Sequence, residues 1–395
     1  MTSHTIRQAV SPWKMLAVLL ALSTFSATAQ YTNGIYSEFN TSMGSFTCRL
    51  NQALAPKAVA NFIGLATGER AWLDSTGRIR RVPFYDGTTF HRVIAGFMNQ
   101  GGSPDGSPSG GPGYQFTDET NGTHDAFGTL SMANAGPDSN GSQFFITAGP
   151  QPSLNGSYSV FGRLFGGSNV VYAINRVATD GQDKPLTNIV LHSVRIHRIG
   201  AEAQAFDIHA QGLPLVTNIA VQIARAGTNV AVTFSNRLGV ENYFYGSTNL
   251  QAWAGGSLGL QTTLPVVSSL TFKPQLAREF FRMLQVQYPG PLYVPRVPNG
   301  KVIKLNFNGG LEVTMTFDQQ GNATYTDNGG GSGGVVYSWK QDPYRGRFNP
   351  LLLSGYNFIM TLHLDFDSPN AGTFNGSAFL VAPIGPVSGT FTCNP

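Results

Sequence analysis

Phe90–Gly102 reads F-H-R-V-I-A-G-F-M-N-Q-G-G and sets one cation, Arg92, two large apolar side chains, Phe97 and Met98, and one amide, Gln100, within a short span. In an extended strand, side chains alternate between faces. Arg92, Ile94, Phe97 after a kink at Gly96, and Gln100 are then expected on one surface. That surface is apolar, with a fixed positive charge and an amide at its edge. The plain alternative is a half-buried strand carrying a stray arginine, and the stretch alone does not separate the two.

The sequence that follows supplies possible walls for such a surface. Gly128–Ile146 reads G-T-L-S-M-A-N-A-G-P-D-S-N-G-S-Q-F-F-I. A strand leads into Ala133-Asn134-Ala135, a small-residue segment that another backbone can approach closely. A turn over Pro137 to Gly141 returns into Ser142-Gln143-Phe144-Phe145-Ile146. Alternation sends one of the adjacent phenylalanines to the core and the other to the opposite face, and Phe144 is the expected core residue. Leu154-Asn155-Gly156, Tyr158 and Ser159-Val160-Phe161-Gly162 come next. The glycines from Gly101 to Gly113 form a loop without the Lys-Ser/Thr ending and helix of a phosphate cradle, so an exposed flexible loop is expected there.

Around this centre the chain reads as short strands and two helices. Gly34 to Leu50 makes a hairpin through Ser42-Met43-Gly44. A helix opens at Ala55-Pro56 and stops at Gly68, with Ala58, Val59, Phe62, Ile63 and Leu65 as its apolar face. A second runs from about Asn169 to Val177. Asn188 to Ile199 closes the unit as a strand.

These two strings, in order and followed by F-G, closely resemble the cyclophilin family of peptidyl-prolyl cis/trans isomerases over roughly Tyr36 to Ile199. The resemblance implies a closed eight-stranded antiparallel barrel with two capping helices. It implies Arg92 as the catalytic arginine. Phe97, Met98, Phe145 and Leu154 would line a proline pocket, and Gln100, Ala133, Asn134 and Gln143 would hold the substrate backbone. Counted back from Phe161-Gly162, Ser153 stands where vertebrate cytosolic members have Trp, and Tyr158, a residue of the site rim, where they have His. The first departure puts sensitivity to the inhibitor cyclosporin in doubt more than catalysis. Isomerisation makes and breaks no bond, so neither cofactor nor metal is expected. His91 reads as a structural histidine rather than a base.

The partners follow from composition and from the ends of the chain. Charged residues are 12 % of 395 while 41 % are apolar, against a usual charged share of about 25 %. That balance reads as a mainly β globular protein rather than a disordered one. The one basic cluster, Arg78 to Arg81, is too short for a nucleic-acid surface. Residues 1–29 read as a secretory leader, with Arg7 and Lys14 ahead of an apolar run and Ala27-Thr28-Ala29 as the cleavage site. The apolar run of about 11 residues is too short to span a bilayer. Export to the periplasm or beyond is expected, with proline-containing polypeptides as partners. The two cysteines, Cys48 and Cys393, leave one bridge or two thiols open.

Beyond Ile199 no catalytic motif occurs. Residues 207–288 read as a small β-sandwich with Trp253 buried under a turn, 289–300 as a proline-rich linker, and 301–395 as an antiparallel meander closed as a barrel or folded as a sandwich. For these modules binding or spacing is expected, with an envelope partner or a glycan as the ligand class. A second reading makes the first unit a proline-peptide binding or chaperone-like module whose isomerisation is incidental. The arginine argues against it, since binding alone does not require one.

Overall fold

A computed structural model describes residues 31–236, 239–261, 267–273, 280–289, 298–341, 345–354, 359–368, 370–379 and 383–394. The leader expected over 1–29 and most of the proline-rich 289–300 stretch lie outside the described residues. None of the described helices is long and apolar enough to cross a membrane.

The first unit starts with β1 (Gly34–Thr41) and β2 (Gly44–Leu50), paired in the expected hairpin. Helix α1 (Pro56–Thr67) has proline in its first turn and ends on Gly68 at φ 77°. A Cβ at Gly68 would stand 2.7 Å from the Val82 carbonyl carbon, so both the backbone angle and the space require glycine. Ala55 offers no capping side chain. The Glu119 carboxylate does so from afar, accepting from the Lys57 and Ala58 backbone N–H groups at 3.1 and 2.9 Å. Its acid is held above the usual carboxylate range by burial, against the pull of those two bonds.

Then follow β3 (Trp72–Leu73), β4 (Ile79–Arg80), β5 (Arg92–Ile94), β6 (Met98–Gly101), β7 (Thr129–Met132), β8 (Phe144–Thr147), β9 (Val160–Gly166), α2 (Ser168–Ile174), β10 (Leu191–Ile199) and the short α3 (Ala201–Ala205). Eight of these strands form one sheet in the order β10-β1-β2-β9-β7-β8-β6-β5. The expected barrel does not close as a continuous ladder. Its seam is an isolated bridge between Thr89 and Val190, flanked by Phe90 N–H to Ile189 at 3.0 Å and Leu191 N–H to Thr88 at 2.8 Å. The reason is the brevity of β5, which turns into β6 after three residues and leaves the segment before it to meet β10. Inside lie Phe39, Phe46, Phe62, Phe90, Phe144 and Phe161, all fully or almost fully buried, with α1 closing the core through Phe62. Phe62 meets Phe144 edge-on at 5.8 Å and Phe161 at 5.2 Å.

Two small sheets follow. One has the order β11 (Leu215–Asn218), β17 (Phe280–Gln287), β14 (Val240–Ser247) and β15 (Ala254–Gln261); the other has β12 (Val221–Ala226), β13 (Asn229–Ser235) and β16 (Val267–Phe272). Val232, Phe234 and Met283 form the core between them. Alternation along β17 turns Leu284 and Val286 to the other face, where they join Tyr245 and Tyr288 against Ala71, Leu73 and Tyr114 of the first unit. Trp253 is only half-buried and lies under the Arg282 guanidinium, 4.0 Å from its ring centre, in place of the buried position expected for it.

The last unit is an up-and-down barrel of eight strands, β18 (Val302–Phe307) to β25 (Pro383–Asn394), closed by pairing of the first with the last. Alternate residues such as Ile303, Leu305, Val313, Met315, Leu362 and Leu364 fill it. Cys48 and Cys393 are each buried in a different core, and no disulfide joins them.

Candidate active site

The stretch around Arg92 is a hairpin, not the single strand kinked at Gly96 that its alternation led us to expect. Gly96, at φ 74°, turns the chain between β5 and β6. The correction sharpens the site. Arg92 stands directly opposite Gln100, Gln100 opposite Phe145, and Phe145 opposite Ser131. Residues opposed across strands share a face, so four strands present one row of side chains. Two residues along, Ile94, Met98 and Thr147 make the next row on that face. The row between them, Val93, Asn99, Ile146 and Leu130, points into the core and is buried.

The hairpin is held from behind by a residue that no sequence motif singled out. Asn175, the residue after α2, accepts from Gly96 N–H at 2.8 Å. It donates to the Ile94 carbonyl at 3.0 Å and to Asn99 Oδ1 at 2.8 Å. Phe97 sits in the turn, its carbonyl accepting from Ala148 N–H at 2.9 Å. Both edges of the turn are thus tied to elements distant in sequence.

Arg92 is half-exposed and its Nε donates to Asp183 at 3.2 Å. Asp183 also grips the strand through its backbone, its carbonyl accepting from Val93 N–H at 2.8 Å. It adopts φ 64° in a turn organised by Asp180, which accepts from Gln182 and Lys184 N–H. One edge of the guanidinium is therefore held and the rest of its donors remain for another partner.

On the other flank of Gln100, its NH2 donates to Gln143 Oε1 at 2.8 Å. The Gln143 NH2 in turn lies within bonding distance of the carbonyls of Pro108 and Gly110, both at 2.9 Å. The loop expected to be exposed and flexible is thus folded onto the site, and Asp105 Oδ1 tightens it by accepting from Ser103 and Ser107. Gln100, Ala133, Asn134 and Gln143 line a single cavity of about 800 Å³. Arg92, Phe97, Met98, Phe145, Leu154 and Tyr158 lie outside it.

Phe145 faces away from the core that Phe144 fills. Its ring stacks on His124 at 5.7 Å and meets Tyr158 edge-on at 5.5 Å. Tyr158 is half-buried at the edge of this group, and Asn134 Nδ2 ties the same loop by donating to the Ser157 carbonyl at 2.9 Å. Leu154 ends a 3-10 turn over Pro152–Leu154 and is half-buried beside it. His124, another residue without a sequence signal, is buried between Asn155 Oδ1 at 3.1 Å and Ser131 Oγ at 3.2 Å. Burial holds its imidazole below the ordinary range, partly offset by the Asn155 bond. His91 is shifted the same way by burial. Both are neutral, structural rings near neutral pH.

Comparison with known proteins bears on the first unit as a whole. The family described as "Cyclophilin type peptidyl-prolyl cis-trans isomerase/CLD" matches residues 36–196. Peptidyl-prolyl cis-trans isomerase B of Streptomyces anulatus is 46 % identical over 169 residues, 40 % of this chain and 95 % of that protein. Peptidyl-prolyl cis-trans isomerase A of Mycobacterium tuberculosis is 46 % identical over 162 residues, covering 40 % of this chain and 89 % of its own length. Among solved structures, a Cryptosporidium parvum cyclophilin type peptidyl-prolyl cis-trans isomerase is similar at 33 % identity and a TM-score of 0.36, covering 41 % of this chain and 96 % of its own.

Proposed function

This chain belongs to the cyclophilin-type peptidyl-prolyl cis/trans isomerases, and from that premise we propose that Arg92 is its catalytic group and exported polypeptides are its substrates. The observation that supports the first point is the row Arg92–Gln100–Phe145–Ser131 on one face of four strands. An X–Pro bond resists rotation by about 18–20 kcal/mol because amide resonance must be broken. As the bond twists, the proline nitrogen regains its lone pair and becomes a hydrogen-bond acceptor. A guanidinium aimed at that nitrogen stabilises the twisted state and does little for the planar one, which is what lowers a barrier. Arginine suits this because it stays charged and its donors are rigidly planar.

The apolar neighbours anchor the ring. Phe97, Met98, Phe145 and Leu154 form the proline pocket, with Tyr158 at its rim. Gln100, Ala133, Asn134 and Gln143, which share a cavity, hold the flanking backbone while the carbonyl swings. Asp183 acts as a positioning residue for Arg92. The reading is tested by following cis-to-trans relaxation of a proline tetrapeptide with the full chain. Acceleration in proportion to enzyme is expected, and relaxation at the uncatalysed rate overturns it.

Export rests on the charged start, apolar run and Ala27-Thr28-Ala29 of the leader. Fractionation of cells making the full-length protein is expected to recover it outside the cytoplasm with Gln30 as its first residue. A cytoplasmic product retaining Met1 overturns that point.

A further inference from the structure

The cavity lined by Gln100, Ala133, Asn134 and Gln143 is not built by the isomerase unit alone. Its opposite wall consists of Glu241, Tyr243, Tyr245 and Tyr288 from the β-sandwich, and the loops around Asp74 and Asp105 complete it. The cavity begins at the residue that stands across the strand pair from Arg92. It therefore borders the place where the isomerase reading holds an X–Pro bond.

The wall is fixed in position. Arg70 donates to the Pro214 carbonyl, Tyr243 to the Gly113 carbonyl at 3.4 Å, and Arg282 to the Thr76 carbonyl at 3.2 Å. Gly77 lets the Tyr245 ring sit directly on the loop, where a Cβ would stand only 2.4 Å from that ring. Ala71, Leu73 and Tyr114 share one apolar cluster with Val216, Leu284 and Val286. Burial of such a cluster holds two units in register more firmly than polar contacts alone.

The chemistry of the lining selects an occupant. Among the residues that line the cavity there are carboxylates at Asp74, Asp105 and Glu241, but no lysine, arginine or histidine. Asp74 is engaged by its own turn and by Arg80 at 4.0 Å, and Asp105 accepts from Ser103 and Ser107 of its own loop. Glu241 accepts from the Tyr288 hydroxyl at 3.1 Å, which aims its carboxylate beside the tyrosine rings. Phenol rings next to a carboxylate attract a cationic side chain by both its charge and its fit over the ring face. We infer that the β-sandwich extends the isomerase's substrate site, and that this extension takes the client polypeptide flanking the X–Pro bond, with preference for a lysine or arginine side chain. The inference rests on the isomerase reading above.

Contacts remote from the twisting bond are made equally in the planar and twisted states, so they lower KM and leave kcat alone. The test uses the full chain with three peptides: a proline tetrapeptide, a twelve-residue peptide carrying lysines on both sides of the proline, and the same peptide with glutamates. The lysine peptide is expected to show a KM about fivefold below that of the glutamate peptide. Glu241→Gln and Asp105→Asn are each expected to shrink that ratio, read beside tetrapeptide turnover by the same variant. A ratio near one in the parent, or one that neither substitution changes, overturns the proposal. A ratio near one together with concentration-dependent self-association assigns the wall to a second copy and likewise overturns it. Failure of the parent to turn over the tetrapeptide strikes the isomerase reading instead.

Discussion

Replacing Arg92 by alanine removes a charge-assisted donor and little else. The guanidinium is half-exposed and bonds Asp183 at 3.2 Å, a pair whose two side chains are 46 % and 40 % exposed. A pair that open to water contributes at most about 1 kcal/mol to stability. In the proposed catalytic role its value is larger, because the acceptor appears only in the twisted state. A hydrogen bond from a charged group is worth about 1.5–3 kcal/mol net, and about 1.4 kcal/mol is tenfold in rate. Exposure places Arg92 in the lower half of that range, so kcat/KM for a proline tetrapeptide is expected to fall by about 10- to 40-fold. Arg92→Lys keeps the charge but loses the planar fork and the Nε contact with Asp183, so a fall of about tenfold is expected. Asp183→Asn weakens positioning alone, and kcat is expected to drop about threefold with KM unchanged. The assay is cis-to-trans relaxation after a solvent jump, with urea unfolding of each variant beside it. An Arg92→Ala variant that turns over within about threefold of the parent, with its unfolding midpoint unchanged, refutes the reasoning.

Three further outcomes follow from the same geometry. Asn175→Ala leaves Gly96 N–H, the Ile94 carbonyl and Asn99 Oδ1 without their partner; urea unfolding is expected to show a loss of about 3 kcal/mol together with reduced turnover, and a loss below about 1 kcal/mol contradicts it. Gln143→Leu keeps the volume but releases Gln100 and the carbonyls of the 107–110 loop, so amide exchange over residues 105–111 is expected to speed up and kcat/KM to fall, whereas parent-like exchange would show that the loop holds itself. His124 is neutral in the fold because burial lowers its pKa from the ordinary 6.5, so the unfolded chain binds more protons below that value. The stabilising contribution is complete above pH 6.5 and shrinks as pH falls below it; thermal midpoints are expected to drop on acidification with a shallower slope in His124→Gln, and parallel slopes in parent and variant refute the assignment.

Helix α1 was legible because its boundaries are local: Pro56 sets the first turn, Gly68 takes the left-handed stop, and the apolar spacing between them needs no partner to be read. The side chains of the proposed site, Arg92, Phe97, Met98, Gln100 and Phe145, stand in two long strings whose residues follow one another in the chain, so their types can be read directly. Their arrangement was less so. Alternation along Phe90–Gly102 suggested one strand, and the turn at Gly96 made it two, which set Arg92 opposite Gln100 rather than eight residues along the same face. The kink at Gly96 was expected, but alternation does not say whether a glycine bends a strand or reverses it.

What the amino-acid order determined by itself was the chemistry available: a permanent cation, large apolar side chains, side-chain amides, and β-rich modules after them. The tertiary structure alone decided what restrains each of these groups. Asp183 reaches Arg92, Asn175 holds the turn and Gln143 gathers the 107–110 loop, each across tens of residues. The seam of the first sheet closes by one bridge, while the last eight strands close fully. The sandwich, without a motif of its own, forms one wall of the cavity that begins at Gln100. Such contacts depend on which distant surfaces bury each other, and periodicity along the chain carries information only about faces, not about their partners.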